Sequence, residues 1–258
     1  MNIIMTGATS FVGAATVREL LRRGHTVTAI ARPASSKLGM ILDGNEEALL
    51  SGRLLVTEND LSEPEQLLEK VTKPQDVFCH FGWGGSGSAS RTDRALQKKN
   101  LEISLETIRT AKALGCKKFL FSGSQAEYGM HRDLITEETA CEPKSLYGEA
   151  KLAMREKGEK LCGELGLRYI HARIFSAYGP GDHPWTLVES CLDAFLNNRE
   201  MSLGACTQNW NFLYIDDLAR GMAALCEAEK TAFEGISNPV FNFGGAETKV
   251  LKDFVEEI

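Results

Sequence analysis

Short apolar segments alternate with longer helical patterns along most of this chain, and this alternation restricts its fold more than any other feature. The apolar segments lie at residues 3–5, 25–30, 54–56, 77–80, 118–121 and 169–174, and helical patterns occupy residues 12–21, 64–71, 91–114 and 145–165. Such an alternation predicts an α/β fold in which helices cover both faces of a doubly wound parallel sheet. Ligands of such sheets bind beyond the carboxyl ends of the strands.

A glycine-containing loop follows the first predicted strand and leads into the first predicted helix. Gly7 permits a tight turn, and Gly13 allows the helix to pack closely on the strand. The backbone N–H groups and the dipole of a helix N-terminus favour an anion such as a pyrophosphate. The loop therefore predicts a dinucleotide cofactor. Its expected contacts in this loop are Gly7, Thr9, Ser10, Phe11, Val12 and Gly13.

The residues after the second predicted strand indicate which dinucleotide is bound. An acidic residue at this place holds a ribose hydroxyl of NAD. This chain has no carboxylate there, but carries Arg32, Ser35, Ser36 and Lys37. Arginine binds phosphate through two parallel hydrogen bonds. We therefore favour NADP over NAD and expect Arg32, Ser36 and Lys37 to surround the 2′-phosphate.

Tyr147 and Lys151 are four residues apart in a predicted helix, so they share one face of it. A phenol has an unperturbed pKa of about 10 and is a poor base at neutral pH. A neighbouring cation favours the phenolate, which makes the pair a candidate for proton transfer. The same spacing also occurs by chance in amphipathic helices, so this interpretation depends on the surrounding motifs.

Composition and charge exclude several classes of protein. A content of 43% hydrophobic and 25% charged residues is typical of a folded globular chain. A net charge of −6 without a Lys/Arg block argues against a nucleic-acid partner. No apolar run approaches the ~20 residues that span a bilayer. We also expect no signal peptide, since Met1 leads directly into the first strand.

The seven cysteines are scattered along the chain, and none forms a C-x-x-C pair. The five histidines are equally dispersed. This pattern argues against a disulfide framework and against a zinc site. We therefore predict reduced thiols, a cytoplasmic location and no metal site.

Taken together, the ordered motifs resemble those of the extended short-chain dehydrogenases/reductases, in the NAD-dependent epimerase/dehydratase family and its nucleotide-sugar-modifying branch. The resemblance covers nearly the whole chain. It implies a Rossmann-like fold, with a doubly wound parallel sheet and a smaller C-terminal substrate-binding region. The family pattern G-x-x-G-x-x-G is matched at Gly7 and Gly13, whereas Ser10 replaces the middle glycine. Asn211 stands where a late family motif usually begins with arginine.

The resemblance implies roles for individual residues. Tyr147 and Lys151 match the catalytic pair, and Ser124 matches the catalytic serine or threonine that precedes a Tyr-Gly pair; Ser122 is a weaker candidate for that role. Glu127 receives no role. Further cofactor contacts are implied for Asp60, Leu61, Phe81, Gly82, Trp83, Asn100, Ser122, Tyr147, Lys151 and Ile174, and substrate contacts for Ser124, Gln125, Ser176 and Tyr178.

The resemblance also implies a mechanism. Hydride moves between the nicotinamide and a substrate carbon, and Tyr147 moves the proton on the attached oxygen. Ser124 hydrogen-bonds that oxygen, while Lys151 lowers the pKa of Tyr147 and holds the nicotinamide ribose. A 4,6-dehydratase would carry an Asp-Glu pair where this chain has Gln125 and Ala126. We therefore expect a nucleotide-sugar 4-ketoreductase or 4-epimerase, with the ketoreductase slightly favoured because Arg32 suits free NADPH.

Two other functions stay open at this point. One is an NADP-binding redox sensor or regulatory protein without turnover, and the other is a reductase of small ketones. The expected domains are 1–173 for the dinucleotide, with 210–230 returning to it, and 174–258 mainly for the substrate. Family members usually continue beyond this length, so part of the substrate region is expected to be absent or short. The helices predicted at 91–114 and 145–165 resemble those that form homodimer interfaces in the family.

Overall fold

The computed structural model describes residues 1–85, 89–236 and 240–258. Its main feature is a seven-stranded parallel sheet in the order β3-β2-β1-β4-β5-β6-β10. Two smaller pairs are parallel β7–β9 and antiparallel β8–β11. The strands are β1 (Asn2–Thr6), β2 (Thr26–Ala31), β3 (Leu54–Glu58), β4 (Val77–His80), β5 (Lys118–Ser124), β6 (Arg168–Ile174), β7 (Ser176–Tyr178), β8 (Asn209–Trp210), β9 (Phe212–Tyr214), β10 (Val240–Phe243) and β11 (Lys249–Val250).

Helices connect the strands and cover both faces of the sheet. They are α1 (Phe11–Arg22), α2 (Gly39–Leu42), α3 (Glu46–Leu50), α4 (Leu67–Lys70), α5 (Arg94–Ala113), α6 (Leu146–Leu165), α7 (Leu187–Leu196), α8 (Ile215–Glu227) and α9 (Leu251–Glu257). Short side chains cap the helices that border the cleft described below. Ser10, Asp93 and Ser145 accept hydrogen bonds from the first-turn N–H groups of α1, α5 and α6.

The period-two alternation of the strands divides the core into two layers. On β1, Ile3 and Met5 point into the layer that α1 and α8 cover, whereas Ile4 points into the layer of α5 and α6. Val17 of α1 and Ile108 of α5 are fully buried in these respective layers. The predicted doubly wound α/β fold is therefore confirmed.

The strand order places a binding crevice in a defined position. The chain runs outward from β1 through β2 to β3 and then restarts on the other side of β1 with β4. The connections that leave β1 and β4 therefore run in opposite directions. A crevice opens between them at the carboxyl ends of these two strands. The loops after these two strands contain Gly7 and Gly82.

The C-terminal part contributes both to the main sheet and to a separate small region. β10 pairs in parallel with β6, although residues 240–243 gave no strand signal in the sequence. α8 packs against α1. The pairs β7–β9 and β8–β11 lie outside the main sheet. No described helix has the combination of length and apolar character that crossing a membrane requires.

Several predicted element boundaries differ from the observed ones. The sequence pattern of residues 184–196 predicts a helix from Pro184, but α7 begins only at Leu187, because Thr186 is its N-cap. The pattern at the C-terminus predicts a helix from about Thr248, but α9 begins at Leu251, after β11. The sequence also offers Asp216 as a cap of α8, but Tyr214 is the N-cap and Asp216 lies in the first turn. Such shifts of a few residues arise because local sequence specifies helix ends weakly.

Candidate active site

One cleft of about 670 Å³ runs along the carboxyl ends of the main-sheet strands. At one end it is bordered by Arg32 and Lys37, and at the other by Tyr147 and Lys151. Of the predicted cofactor contacts, the cleft is lined by Gly7, Thr9, Ser10, Phe11, Val12, Arg32, Lys37, Asp60, Leu61, Phe81, Gly82, Trp83, Ser122, Tyr147, Lys151 and Ile174. The topology thus gathers residues from seven separate segments.

The glycine loop is built by close backbone approaches. Gly7 has φ +69°, and a Cβ atom there would lie 2.6 Å from the backbone of Phe81 and Gly82. Gly13 does not line the cleft, but a Cβ atom there would lie 2.1 Å from the carbonyl oxygen of Gly7. Both glycines are therefore required for the turn itself.

Ser10 explains how the chain tolerates the loss of the middle glycine. Its φ of −81° is available to any residue, so no positive φ is needed at this position. Its hydroxyl accepts a hydrogen bond from the N–H of Gly13 at 3.1 Å and caps α1. Phe11 and Val12, the first two residues of α1, line the cleft. A helix N-terminus beside a cavity is suited to an anionic group.

The end of the cleft away from Tyr147 and Lys151 carries both positive and negative side chains. Arg32 and Lys37 line this end, but Ser36 does not line the cleft. Asp60 accepts hydrogen bonds from the N–H and the hydroxyl of Ser62, which hold the pKa of its carboxyl below the usual range. Asn59, which the sequence reading missed, is buried at the wall and donates to the carbonyl oxygens of Asp60 and Glu63.

A hydrogen-bonded chain beneath the glycine loop was also missed. His80 is fully buried, and its Nδ1 lies 2.8 Å from the Thr6 hydroxyl while its Nε2 lies 3.0 Å from the Ser104 hydroxyl. Ser104 in turn donates to the carbonyl oxygen of Asn100. Burial lowers the pKa of His80 to about 3, so its imidazole is neutral in this chain.

Asn100 supports the cleft from behind rather than lining it. Its side-chain oxygen accepts from the N–H of Gly84 at 3.1 Å, and its amide donates to the carbonyl oxygen of the same residue at 2.7 Å. Asn100 therefore fixes the loop that carries Gly82 and Trp83, and its contact with the cofactor stays a prediction. The signal for this role was absent from the sequence, because the contact joins two separate elements.

The predicted catalytic residues meet at the far end of the cleft. Ser124 ends β5, and Tyr147 lies in the first turn of α6. The Ser124 hydroxyl forms a hydrogen bond with the phenol of Tyr147. A Cβ atom at Gly148 would lie 2.4 Å from the carbonyl oxygen of Ala126, so glycine here lets α6 approach the end of β5. This close packing brings the two hydroxyl groups together.

Lys151 has a different arrangement from the one expected. Its Nζ donates to the carbonyl oxygen of Ser122 at 2.7 Å and lies 4.0 Å from the ring centroid of Trp83. It lies 5.6 Å from the ring centroid of Tyr147. Burial lowers the pKa of Lys151 to about 7, so only part of its population is charged at neutral pH.

Tyr147 itself responds mainly to burial. Desolvation raises the pKa of its phenol, while the hydrogen bond from Ser124 and the charge of Arg91 lower it and the charge of Glu127 raises it further. Lys151 Nζ lies 5.6 Å from the ring centroid of Tyr147, and its lowering of this pKa stays a prediction.

Ser124 is anchored by a buried ion pair that the sequence did not reveal. Glu127 is fully buried and accepts from the N–H of Ser124 at 2.8 Å, from Arg173 Nε at 2.8 Å and from His171 Nε2 at 2.9 Å. Burial alone would raise the pKa of Glu127, but His171, Arg173 and the Ser124 N–H lower it to about 2. A Cβ atom at Gly123 would collide with His171 and Glu127.

Three predicted substrate contacts do not line the cleft. Gln125 lies in the one-turn 3₁₀ helix Gln125–Glu127, and Ser176 lies in β7. Tyr178 packs against the rings of Phe212 and Tyr214 at centroid distances of 5.8 and 5.5 Å. Their contacts with a substrate stay predictions. Two cleft residues that the sequence did not mark are Arg91 and His183.

The sequence predicts free cysteine thiols and no metal site. None of the seven cysteines is in a disulfide. Across residues 1–85, 89–236 and 240–258, no three His, Cys, Asp or Glu side chains are grouped as metal ligands. The absence of a metal site stays a prediction.

The cleft fits an extended dinucleotide at two places along its length. The N-terminus of α1 and the turn at Gly7 would take the pyrophosphate, and the region around Ser122, Tyr147 and Lys151 would take the nicotinamide ribose. This arrangement of a Gly-rich turn, a Ser-Tyr-Lys group and a doubly wound sheet defines a nicotinamide-dependent class of protein.

Comparison with known proteins gives the family. The model of the NAD-dependent epimerase/dehydratase family matches residues 3–244, and the chain belongs to that family. An uncharacterized UDP-glucose epimerase of Bacillus subtilis is 27% identical over all of this chain and 82% of its own length. A dTDP-6-deoxy-L-talose 4-dehydrogenase (NAD⁺) of Aggregatibacter actinomycetemcomitans is 28% identical over all of this chain and 89% of its own.

The fold also matches solved structures. A UDP-N-acetylglucosamine 4-epimerase from Methanobrevibacter ruminantium superimposes with a TM-score of 0.84 at 24% identity, over 99% of this chain and 80% of that one. The predicted family and the Rossmann-like fold are therefore confirmed.

Proposed function

We propose that this protein is an NAD(P)-dependent oxidoreductase that transfers hydride at a sugar carbon of a nucleotide-sugar, as a 4-ketoreductase or a 4-epimerase. The observation that carries the proposal is the position of Ser124, Tyr147 and Lys151 at one end of the cleft whose other parts suit a dinucleotide. The relatives named above act on nucleotide-linked sugars according to their names, which supports the substrate class.

The side chains divide the work of a carbonyl reduction. The bound cofactor supplies a nicotinamide that gives or takes a hydride. Ser124 hydrogen-bonds the substrate oxygen, and Tyr147 gives it the proton that balances the incoming hydride. Lys151 holds the nicotinamide ribose. In the reverse direction Tyr147 takes the proton from the alcohol.

The residues after Ser124 favour simple hydride transfer over dehydration. Eliminating water needs an acid and a base, and Gln125 and Ala126 offer neither. Glu127 is the nearest carboxylate in the sequence, but it is fully buried and paired with Arg173. It is therefore unsuited to proton exchange with a substrate. The relatives named above include both epimerases and a 4-dehydrogenase, so only Arg32 favours the ketoreductase over the epimerase.

The cofactor is proposed to be NADP, because Arg32 and Lys37 line the end of the cleft that lies away from Tyr147 and Lys151. Replacing Arg32 with Asp should weaken NADP binding by about 10- to 100-fold, since a hydrogen bond to a charged group contributes roughly 1.5–3 kcal/mol. Binding of NAD should be unchanged or tighter. Fluorescence titration of both dinucleotides measures the two dissociation constants.

A matched control separates this effect from a general change in charge. Arg132→Asp makes the same charge change at an exposed residue outside the cleft and should leave both dissociation constants unchanged. If Arg32→Asp weakened NADP and NAD binding equally, or weakened neither, Arg32 would not be a 2′-phosphate ligand.

A substrate screen tests the proposed activity. NADPH oxidation is followed with nucleotide-linked 4-keto sugars and, in parallel, with simple aromatic and aliphatic ketones. We expect oxidation with the nucleotide-linked sugars only. Oxidation with simple ketones alone would favour the small-ketone reductase. Tight NADP binding without oxidation of any substrate would favour a redox sensor and contradict the 4-ketoreductase.

The protein is further proposed to be a cytoplasmic homodimer, as the family resemblance implies, with α5 and α6 at the interface. These helices pack on each other within one layer, and their outward residues include charged groups such as Lys98, Glu102 and Arg109. We expect a mass of twice that of the chain by light scattering. A monomer mass at micromolar concentration would contradict the homodimer.

A further inference from the structure

Arg91 lies beside the phenol that the proposed mechanism uses. It belongs to the 3₁₀ turn Ala89–Thr92, just before α5, and it lines the cleft. Its guanidinium carbon lies 4.9 Å from the ring centroid of Tyr147. A cation within about 6 Å of an aromatic face is attracted by the ring. The attraction is larger for a phenolate, which carries a full negative charge.

Neither Lys151 nor Glu127 supplies a permanent positive charge near the phenol of Tyr147, whereas Arg91 does. Lys151, on the same helix, donates to the carbonyl oxygen of Ser122, and its burial makes it only partly charged at neutral pH. Glu127, from the turn after β5, is fully ionised near neutrality and disfavours a second negative charge at the phenol. His183 borders the same cleft. An arginine stays protonated at every accessible pH.

The chain therefore places a permanent cation at Tyr147 that does not depend on the protonation of Lys151. Charge from Arg91 favours the phenolate of Tyr147, in opposition to Glu127 and to burial. The sequence reading assigned this role to Lys151 alone. The 3₁₀ turn sets the position of Arg91, because Asp93 caps α5 immediately after it and fixes where the helix begins.

We propose that Arg91 is a positioning residue for proton transfer, whose guanidinium orients the Tyr147 ring and stabilises its phenolate form. The inference rests on the proposed function in one respect only, namely that Tyr147 is the group that exchanges the proton. It adds a residue outside the Ser124, Tyr147 and Lys151 group. It also predicts that the pH at which Tyr147 can accept a proton depends on the turn before α5.

Direct titration of Tyr147 in the unliganded protein tests the inference without any substrate. Tyrosines labelled with ¹³C at Cζ report phenol and phenolate by NMR, and Tyr147→Phe identifies the resonance of Tyr147. In Arg91→Gln the pKa of Tyr147 should rise relative to the unsubstituted protein. Arg91→Lys keeps the charge and should restore most of the difference, while thermal unfolding verifies that each variant is folded.

The control is Arg94→Gln, which removes an equal charge from the first residue of α5, outside the cleft. It should leave the titration of Tyr147 unchanged. Once a substrate is found, the pH profile of kcat/KM in Arg91→Gln should move to higher pH and the rate at pH 7 should fall several-fold. A Tyr147 titration that is the same in Arg91→Gln and in the unsubstituted protein would overturn the inference.

The two proposals fail in different ways. A shifted Tyr147 titration without turnover of any nucleotide-sugar would leave the role of Arg91 standing and contradict the proposed function. Turnover of a nucleotide-linked 4-keto sugar with an unshifted titration would do the reverse.

Discussion

Replacing Tyr147 with Phe should lower kcat by about 10²- to 10⁴-fold, which is the usual contribution of a positioned proton donor. The change removes the phenolic oxygen that forms a hydrogen bond with Ser124. It retains the ring that packs edge-on against Trp83 at a centroid distance of 6.3 Å. We therefore expect a folded protein with an unchanged dissociation constant for the cofactor. Steady-state kinetics and fluorescence titration measure the two quantities.

Tyr214→Phe is the matched control for this experiment. It removes the same atom from a tyrosine that packs against Tyr178 and does not line the cleft. Its kcat should stay near that of the unsubstituted protein. Ser124→Ala and Ser122→Ala identify which serine orients the substrate oxygen, and only the first should lower kcat strongly. A Tyr147→Phe variant with near-normal turnover would contradict the assignment of Tyr147.

Replacing Glu127 with Ala should lower the free energy of unfolding by about 3–5 kcal/mol, because it leaves the charge of Arg173 buried without its partner. Arg173 is 3% exposed and Glu127 is fully buried, so water cannot replace the lost contact easily. The substitution also removes the acceptor of the Ser124 N–H. Urea unfolding followed by circular dichroism gives the free energy.

The ion pair also predicts how stability depends on pH. The pKa of Glu127 is lowered from 4.5 to about 2 in the folded protein. Its contribution is therefore fully present above pH 4.5 and is lost as the pH falls from there to about 2. Unfolding at pH 3 and at pH 7 should show a smaller difference between Glu127→Ala and the unsubstituted protein at pH 3.

Two variants sharpen the test of Glu127. Glu102→Gln removes a carboxylate whose distance to Lys98 is 3.8 Å on the exposed side of α5, and it should cost less than about 1 kcal/mol. The double change Glu127→Ala with Arg173→Met removes both charges and should be more stable than Glu127→Ala alone. If Glu127→Ala cost no more than Glu102→Gln, the buried pair would not anchor the end of β5.

The sequence predicted those parts of the fold and site that depend on local patterns. Patterns among sequence neighbours or within one helical turn were enough to predict six of the main-sheet strands and the glycine turn at Gly7. They also predicted that Tyr147 and Lys151 share one face of a helix. The strand order then brought Ser124 and Tyr147 together, as a doubly wound sheet requires. The replacement of the middle glycine by Ser10 is harmless to the turn because its φ is negative.

The remaining features depend on contacts between distant segments. Glu127 meets His171 and Arg173 only because β5 and β6 are neighbours. Glu127 was therefore given no role from the sequence. The direction of Lys151 toward Ser122 is set by the packing of α6 on β5. Neither contact has a local sequence signal, and the same holds for Arg91 at Tyr147.

The most direct test of the proposed activity follows the hydride itself. NADPH carrying deuterium at the nicotinamide C4 position, with both C4 stereoisomers tested, is incubated with the protein and a nucleotide-linked 4-keto sugar. We expect one deuterium at C4 of the sugar for each NADP⁺ formed from one of the two stereoisomers and none from the other, and loss of the transfer in Tyr147→Phe. A product without deuterium at C4 from both stereoisomers, or no reaction of any nucleotide-linked 4-keto sugar while simple ketones are reduced, would contradict the account.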